Sequence, residues 1–131
     1  MTHWQVIHYP VFVEKILAMH ELSLALEVVD LASREAEKNR IAAIMEITIE
    51  VGNLSGVEAD AFEMALDLVV KDTLLENAGR KIIRITGKGR CTACDLEFEM
   101  KNILNCCPEC NCYPSEIIGG REFRVVSITG E

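Results

Sequence analysis

The feature that most restricts this chain is a pair of matching C-x-x-C segments, Cys91-Thr-Ala-Cys94 and Cys107-Pro-Glu-Cys110. Each segment places two sulfurs on one tight turn. Two such turns that face each other hold four thiolates at the corners of a tetrahedron, which suits Zn²⁺ at Zn–S distances of ~2.3 Å. Four protein ligands leave no open position for a substrate. We therefore expect a structural zinc site, whose binding energy holds together a segment too small to have its own core.

The residues between the two pairs predict a zinc ribbon. The stretch "DLEFEMKNILN" has the length and the alternation of a short β-hairpin, the usual connection in such ribbons. Asp95 and Asn111 directly follow the two pairs, at positions where the backbone needs a residue that tolerates positive φ. Pro108 stiffens the second turn.

The ligand set has one ambiguity, because two further cysteines, Cys106 and Cys112, flank the second pair. Cys106-x-x-x-Cys110 is a sterically possible pair as well. The symmetry of two C-x-x-C turns and the Cys-Pro-x-Cys form favour Cys107. A thioredoxin-like redox site is another reading of a C-x-x-C segment. It needs a single pair at a helix start, whereas this chain has two matched pairs.

Composition restricts the cellular setting and the partners. The net charge of −8 argues against nucleic acid as a partner, since phosphate binding needs a basic surface. No apolar run approaches the ~20 residues of a membrane span. The opening stretch "MTHWQVIHYPVFVEKILA" has no basic start, and Glu14 and Lys15 interrupt its apolar run, so we do not expect a secretory signal. Six cysteines without an export signal indicate a reducing, cytoplasmic location.

Hydrophobic periodicity predicts two helices and three strands. The expected helices cover residues 20–39 and 57–72, and the expected strands cover residues 44–52, 81–86 and 121–129. The buried side chains are expected to be Leu22, Ala25, Leu26, Val29, Ala32 and Ala36 in the first helix, and Ala61, Ala65, Leu68 and Val69 in the second, with Phe62 and Met64 at its edges. The first strand is expected to bury Met45, Ile47, Ile49 and Val51. Ser55 is a candidate N-cap of the second helix.

These elements predict an α+β fold, with two helices packed on a three-stranded sheet and an inserted zinc-ribbon subdomain. The strand–helix–strand unit over residues 44–86 is expected to be a parallel crossover. Residues 19–88 and 118–131 form the α+β domain in this prediction, and residues 89–117 form the ribbon. Residues 1–18 are treated as a leader, either a flexible extension or sequence upstream of the true start.

A second candidate metal site lies at Met19, His20 and Glu21, where the first helix begins. A histidine and a glutamate at a helix start are ordinarily solvated. In a chain that begins at Met19, however, the α-amine, the amide nitrogen of His20 and its imidazole converge, and such a nitrogen-rich set suits Ni²⁺ or Cu²⁺. After a leader, the amine is replaced by a non-basic peptide nitrogen. The leader holds a possible substitute, because Met1 and His3 place a free amine near an imidazole.

Four features together resemble the HypA/HybF family of hydrogenase maturation proteins, which are nickel metallochaperones: "MHELSLALEVVD", "ITIEVGNLSGVEADAFEMALDLV", the two C-x-x-C pairs and "GREFRVVSI". The resemblance covers residues 19–129. It implies nickel binding by Met19, His20 and Glu21 and, in some members, by the acid at the start of the second helix, here Glu58. It also implies a structural zinc site formed by Cys91, Cys94, Cys107 and Cys110.

The resemblance also implies partners and a starting residue. The implied partners are the HypB GTPase and the large subunit of NiFe hydrogenase. Family members begin at the methionine that matches Met19, so we expect the true start to be Met19 rather than Met1. The chain departs from the family pattern at Asn53, where glutamate is usual, and at Asp95 and Asn111, where glycine is usual.

We therefore predict a cytoplasmic nickel metallochaperone that acts in NiFe hydrogenase maturation and carries a structural zinc site. The sequence contains no phosphate loop, no nucleophile–base pair and no open metal site, so we do not expect an enzyme. Two rival functions stay open: a zinc-ribbon adaptor that binds proteins without nickel, and a dithiol oxidoreductase. The sequence does not decide between monomer and homodimer, or whether urease is also supplied with nickel.

Overall fold

The computed structural model describes the backbone of residues 5–8 and the whole of residues 21–114 and 116–131. In these residues, two helices accompany two β-sheets. The helices are α1 (Glu21–Lys38) and α2 (Ala59–Val69). The larger sheet contains, in spatial order, β1 (Gln5–His8), β7 (Phe123–Gly130), β2 (Ile44–Gly52) and β3 (Gly79–Ile85). The smaller sheet contains β5 (Glu97–Met100), β4 (Gly87–Arg90) and β6 (Glu116–Gly119). The hairpin predicted between the two C-x-x-C pairs is wrong, because that stretch forms one strand, β5, which pairs with β4.

The larger sheet is built around β2. This strand pairs in parallel with β3, with Ile49 opposite Ile82, and in antiparallel with β7, with Thr48 opposite Ser127. Because α2 lies between β2 and β3 in the chain, the expected parallel strand–helix–strand unit is present. The predicted α+β class is confirmed. The larger sheet has one strand more than predicted, because β1, from the leader, adds to the outer edge of β7.

The main core lies between the helices and the larger sheet. Both helices contribute buried side chains, among them Leu24 and Phe62, and β2 contributes Ile47 and Ile49. The ring of Phe62 meets Phe123 of β7 edge to face, with 5.1 Å between the ring centroids. Within the described ranges, neither helix has the length and the apolar composition needed to cross a membrane.

The buried face of α1 differs from the predicted one. Leu22 is 47% exposed, and Leu26 is exposed as well. The residues of α1 that are buried in the core are Leu24, Ala25, Val28, Val29, Ala32 and Ala36. The series from Leu24 to Ala36 recurs every four residues and therefore lies on one helix face, which leaves Leu22 and Leu26 to one side of it.

The start and the buried face of α2 were also predicted wrongly in part. The N-cap is Glu58, and the hydroxyl of Ser55 instead accepts a hydrogen bond from the Val57 amide at 3.1 Å. Leu68 is 70% exposed, whereas Phe62 is fully buried rather than at the edge of the apolar stripe. A helix of eleven residues buries one narrow stripe, and the aromatic ring takes the central place in it.

One side chain of β2, Met45, was predicted to be buried and is exposed. The β2–β7 register shifts between Ile44 and Glu46, which leaves Met45 without a partner on β7. The extra residue interrupts the two-residue alternation, so Ile44 is buried and Met45 is 43% exposed.

The two sheets are joined by direct contact between backbones. The amide of Leu54 donates to the carbonyl of Gly120 at 2.7 Å, and the side-chain amide of Asn53 donates to the carbonyl of Met100 at 3.0 Å. A Cβ at Gly52 would lie 2.0 Å from the Gly120 carbonyl oxygen, and Gly120 itself has a φ of +102°. Glycine is therefore required at both positions.

We expect Gly52→Ala to lower the free energy of unfolding by about 3 kcal/mol, since the new methyl group meets a backbone carbonyl that no side-chain rotation can move. Gly79→Ala is the matched control, because the nearest atom to its Cβ would be the Met45 carbonyl oxygen at an ordinary 3.6 Å. Urea unfolding of both variants checks the difference. Equal stability of the two would show that the sheets are not locked together at Gly52.

Candidate metal centre

The smaller sheet positions the four cysteines of the two C-x-x-C pairs. Cys91 directly follows β4, Cys94 precedes β5, and Cys107 and Cys110 both precede β6. These strands have a small core of their own, made of Cys91, Phe98, Met100 and Cys107, with partly buried Leu54, Leu96, Cys110 and Ile117 against it. Two of the four thiols therefore belong to the core, and the other two lie toward its surface.

Both C-x-x-C turns have the same backbone hydrogen bonds. The amide of Asp95 donates to the carbonyl of Cys91 at 2.8 Å, and the amide of Asn111 donates to the carbonyl of Cys107 at 2.9 Å. Asp95 has a φ of 58° and Asn111 a φ of 59°, so the predicted left-handed positions are confirmed. Aspartate and asparagine tolerate this conformation better than most residues, which explains how the chain does without glycine here.

A second hydrogen bond closes each turn and gives Cys112 a structural place. The amide of Cys91 donates to the carbonyl of Leu96 at 2.9 Å, and the amide of Cys107 donates to the carbonyl of Cys112 at 2.8 Å. Cys112 thus corresponds to Leu96 in the other turn, and it takes part through its backbone. The equal spacing of the two residues from their pairs is the sequence signal for this role.

The four sulfurs converge on one point. The Sγ atoms lie 3.2 Å apart for Cys91 and Cys110, 3.5 Å for Cys94 and Cys107, and 4.0 Å for Cys94 and Cys110. All four lie within 4.8 Å of one another. Four sulfurs at ~2.3 Å from one tetrahedral ion are about 3.8 Å apart, so the donor set and its spacing fit such an ion.

The sulfurs also influence each other's protonation. A hydrogen bond from the Cys110 thiol, aided by the backbone amide of Cys94, lowers the pKa of Cys91 to about 7. The same contact with Cys91 raises the pKa of Cys110, because the proton is held between the two sulfurs. One thiolate is thus formed close to neutral pH, where a cation then competes with few protons for it.

The group of four contains Cys107, and Cys106 lies outside it. The thiol of Cys106 lies 3.7 Å from the carbonyl oxygen of Leu104. The described residues therefore bring together the cysteines of the two C-x-x-C pairs, as their spacing predicts. They do not form the alternative pair of Cys106 and Cys110.

The described part of the predicted nickel site consists of Glu21 and Glu58, and the two line different cavities. Glu21 opens α1 and lines a groove of about 510 Å³ against α2, together with Leu22, Ala61, Met64, Ala65, Asp67 and Leu68. The exposed Leu22, Met64 and Leu68 therefore form an apolar surface beside Glu21. The sequence did not predict this surface, because its hydrophobic periodicity placed Leu22 and Leu68 in the core. Met19 and His20 lie outside the described residues.

Glu58 is occupied by the helix that it begins. One of its carboxylate oxygens accepts a hydrogen bond from the amide of Ala61 at 2.7 Å, and the other accepts one from the amide of Asp60 at 3.3 Å. Glu58 is exposed and lines a small cavity with Asn53 and Arg84. In this structure, Glu58 therefore caps the N-terminus of α2.

A protein-family model matches residues 19–130 and describes the family as hydrogenase/urease nickel incorporation, metallochaperone, HypA. The chain belongs to the HypA family. The hydrogenase maturation factor HypA of Geobacter metallireducens is 38% identical over 113 residues, which cover 86% of this chain and 100% of that protein. The HypA of Parabacteroides distasonis is 41% identical over 112 residues, or 84% of this chain and 96% of that relative.

Solved HypA structures share the fold. The solution structure of the nickel metallochaperone HypA from Helicobacter pylori has a TM-score of 0.56 at 23% identity and covers 84% of this chain and 96% of its own. A second HypA solution structure has a TM-score of 0.59 at 21% identity and covers 87% of this chain and 98% of its own. The family assignment confirms the resemblance and the general role, which is that of a metallochaperone in hydrogenase maturation and not of an enzyme.

We expect Cys107→Ser to abolish tight metal binding, because an alcohol is a poor fourth ligand for a site of three thiolates. Cys106→Ser is the matched control from the neighbouring position. It should keep about one metal ion per chain after purification without added metal. Elemental analysis of both variants makes the comparison. Loss of metal in the Cys106 variant, with metal kept in the Cys107 variant, would mean that the fourth ligand is Cys106 and not Cys107.

Proposed function

We propose that this chain binds Ni²⁺ and delivers it to the large subunit of NiFe hydrogenase during maturation, with a structural Zn²⁺ in its four-cysteine group. The observation that carries the proposal is the family match, which begins at Met19 and so includes Met19, His20 and Glu21. Nickel is the cargo in this proposal, and zinc is the resident ion. In this proposal, the ribbon (89–117) binds zinc and the α+β domain (19–88 and 118–131) binds nickel.

Zinc is the ion that best fits the four-cysteine group. Four thiolates form a soft, tetrahedral and closed donor set, and Zn²⁺ in structural sites prefers this set. Cys91 and Cys107 are fully buried in the small core, so an ion held there stabilises the ribbon and is not easily passed on. A separate site is therefore needed for a cargo ion.

The nickel ligands that we propose are Met19, His20 and Glu21, with Glu58 as a further candidate. A nitrogen-rich set from the chain around His20 suits the tetragonal preference of Ni²⁺. Glu21 stands at the start of α1, directly next to His20. The net charge of −8 raises the local concentration of divalent cations around the protein.

The proposed partners are the HypB GTPase and the hydrogenase large subunit. The chain has no phosphate loop, so a nucleotide-driven step in delivery has to come from a partner. We propose that this occurs in the cytoplasm without nucleic acid or membrane, and with the chain as a monomer or a homodimer. Supply of nickel to urease is part of the family description and is a further candidate role.

Changing His20 tests the nickel site directly. We expect His20→Gln to weaken Ni²⁺ binding at least ~10-fold, which corresponds to about 1.4 kcal/mol, because the imidazole is lost. Zinc content should stay unchanged, since the four cysteines lie on other elements. Isothermal titration with Ni²⁺ and metal analysis of the same samples measure both effects.

The leader provides the control for this experiment. His3→Gln should leave nickel affinity unchanged, and a chain that begins at Met19 should bind at least as tightly as the 131-residue chain. Loss of affinity on changing His3 and not His20 would place the nickel site in the leader. No nickel binding by any form would favour the zinc-ribbon adaptor, and thiol–disulfide exchange activity would favour the oxidoreductase.

Separate variants of Glu58 distinguish capping from metal binding. Glu58→Ala should lower the free energy of unfolding by about 1 kcal/mol, because the amides of Asp60 and Ala61 lose their acceptor. Glu58→Ser keeps a capping oxygen but removes the carboxylate. Weaker nickel binding in the serine variant at unchanged stability would support Glu58 as a ligand. Unchanged nickel binding in both variants would limit Glu58 to the cap.

A further inference from the structure

Cys112 carries a thiol that lies beside the four-cysteine group and is not one of its members. The carbonyl of Cys112 closes the second C-x-x-C turn by accepting from the amide of Cys107, but its side chain is exposed. It follows Cys110 by two residues, in the segment Cys110-Asn111-Cys112. An exposed thiol can react with small oxidants, whereas a buried one is protected from them.

The fold of the second turn holds Cys112 against the sulfur of Cys110. The backbone amide of Cys112 donates a hydrogen bond to this sulfur, and the thiol of Cys112 acts on it as well. Contact with Cys91 first, and with the Cys112 thiol as a smaller cause, raises the pKa of Cys110, while the Cys112 amide opposes this change. The sulfurs of Cys110 and Cys112 therefore start close together, as the formation of a disulfide requires.

The four-cysteine group is open to solvent on the side where Cys112 lies. Cys91 and Cys107 are buried in the small core, whereas Cys94 is exposed and Cys110 is half-buried. A thiol outside the group can therefore reach Cys110 without opening the core. Loss of Cys110 from the group would leave three thiolates, which hold a tetrahedral ion less tightly than four.

We propose that Cys112 is an oxidation site that forms a disulfide with Cys110 when the protein meets a hydroperoxide, and that this bond releases the metal ion from the four-cysteine group. The proposal rests on the zinc site proposed above, because the ion to be released is that zinc. Cys112 thereby links the zinc content of the ribbon to the oxidants around the protein.

The reaction consumes one hydroperoxide for each disulfide. The sulfur of Cys112 attacks the outer oxygen of the hydroperoxide, the O–O bond breaks, and an alcohol or water leaves while Cys112 becomes a sulfenic acid. The sulfur of Cys110 then attacks the sulfur of Cys112, the S–O bond breaks and water leaves. The two sulfurs lose two electrons to the hydroperoxide, and one proton is taken up when Cys110 starts as a thiolate. A dithiol reductant reverses the oxidation by thiol–disulfide exchange.

Treatment of the full chain, purified with its metal, with hydrogen peroxide tests the release. We expect zinc to appear in solution, measured with a chromophoric chelator, and to be bound again after reduction with a dithiol. In Cys112→Ser, release should be at least ~10-fold slower, because the exposed thiol that reacts first is lost. This variant should contain as much zinc as the wild type before treatment, since Cys112 closes its turn through the carbonyl.

Cys106→Ser is the matched control from the other side of the second pair. The thiol of Cys106 lies 3.7 Å from the carbonyl oxygen of Leu104, and Cys106 is outside the four-cysteine group. This variant should release zinc at the wild-type rate.

A peptide map identifies the bond that forms. Cleavage after Glu109 and Glu116 releases the peptide 110–116, in which Cys110 and Cys112 are the only cysteines. After oxidation and alkylation of the remaining thiols, mass spectrometry should find this peptide unalkylated and lighter by two hydrogens.

Three results would overturn the proposal. Equal rates of release from the wild type and from Cys112→Ser would mean that Cys112 does not react first. A disulfide that joins the peptide 110–116 to another peptide would mean that Cys110 and Cys112 are not the pair. Formation of the expected disulfide with zinc still bound would mean that the bond does not open the site. An untreated chain without zinc would contradict the zinc site itself, whereas the peptide map decides the oxidation site with or without metal.

Discussion

The backbone contact between Gly52 and Gly120 decides how the two sheets of this protein are joined. Gly52 ends β2, which pairs with both β3 and β7, and Gly120 follows the last strand of the ribbon. The absence of a side chain at Gly52 lets the Gly120 carbonyl approach it, and Asn53 and Leu54 add hydrogen bonds to the same place. The ribbon is therefore attached to the larger domain at a fixed point. From Gly52 the chain continues to Glu58 and α2.

The parts that the sequence predicted correctly are those in which local spacing decides the structure. The two C-x-x-C turns follow from four positions in the chain, and the left-handed conformation of Asp95 and Asn111 follows from their place just after each pair. The alternation in β2 likewise predicted that Ile47, Ile49 and Val51 lie on the buried face of the strand. These features can be predicted from local sequence, because hydrogen bonds within a few residues determine the turns and the two-residue period of a strand determines which side chains share a face.

The parts that it predicted wrongly or not at all depend on distant partners. Leu22 and Leu68 were assigned to the core, but the rotation of each helix is set by what the opposite sheet can accommodate. Met45 is displaced by a register shift against β7, and β1 is a strand because it pairs with β7, which is distant in the sequence. In the candidate nickel site, the separation of Glu21 and Glu58 into different cavities is likewise a property of the packed helices.

The cap at Glu58 has a consequence for how a carrier lets go of its cargo. Its carboxylate cannot turn fully toward a cation and still accept hydrogen bonds from Asp60 and Ala61. A lost cap costs about 0.5–2 kcal/mol, so a metal ion held by this carboxylate would be bound roughly 2- to 30-fold less tightly than by a free one. Under the proposed nickel-binding role of Glu58, the helix would compete with the cation for the same carboxylate. Such competition would favour fast release of the ion over long retention.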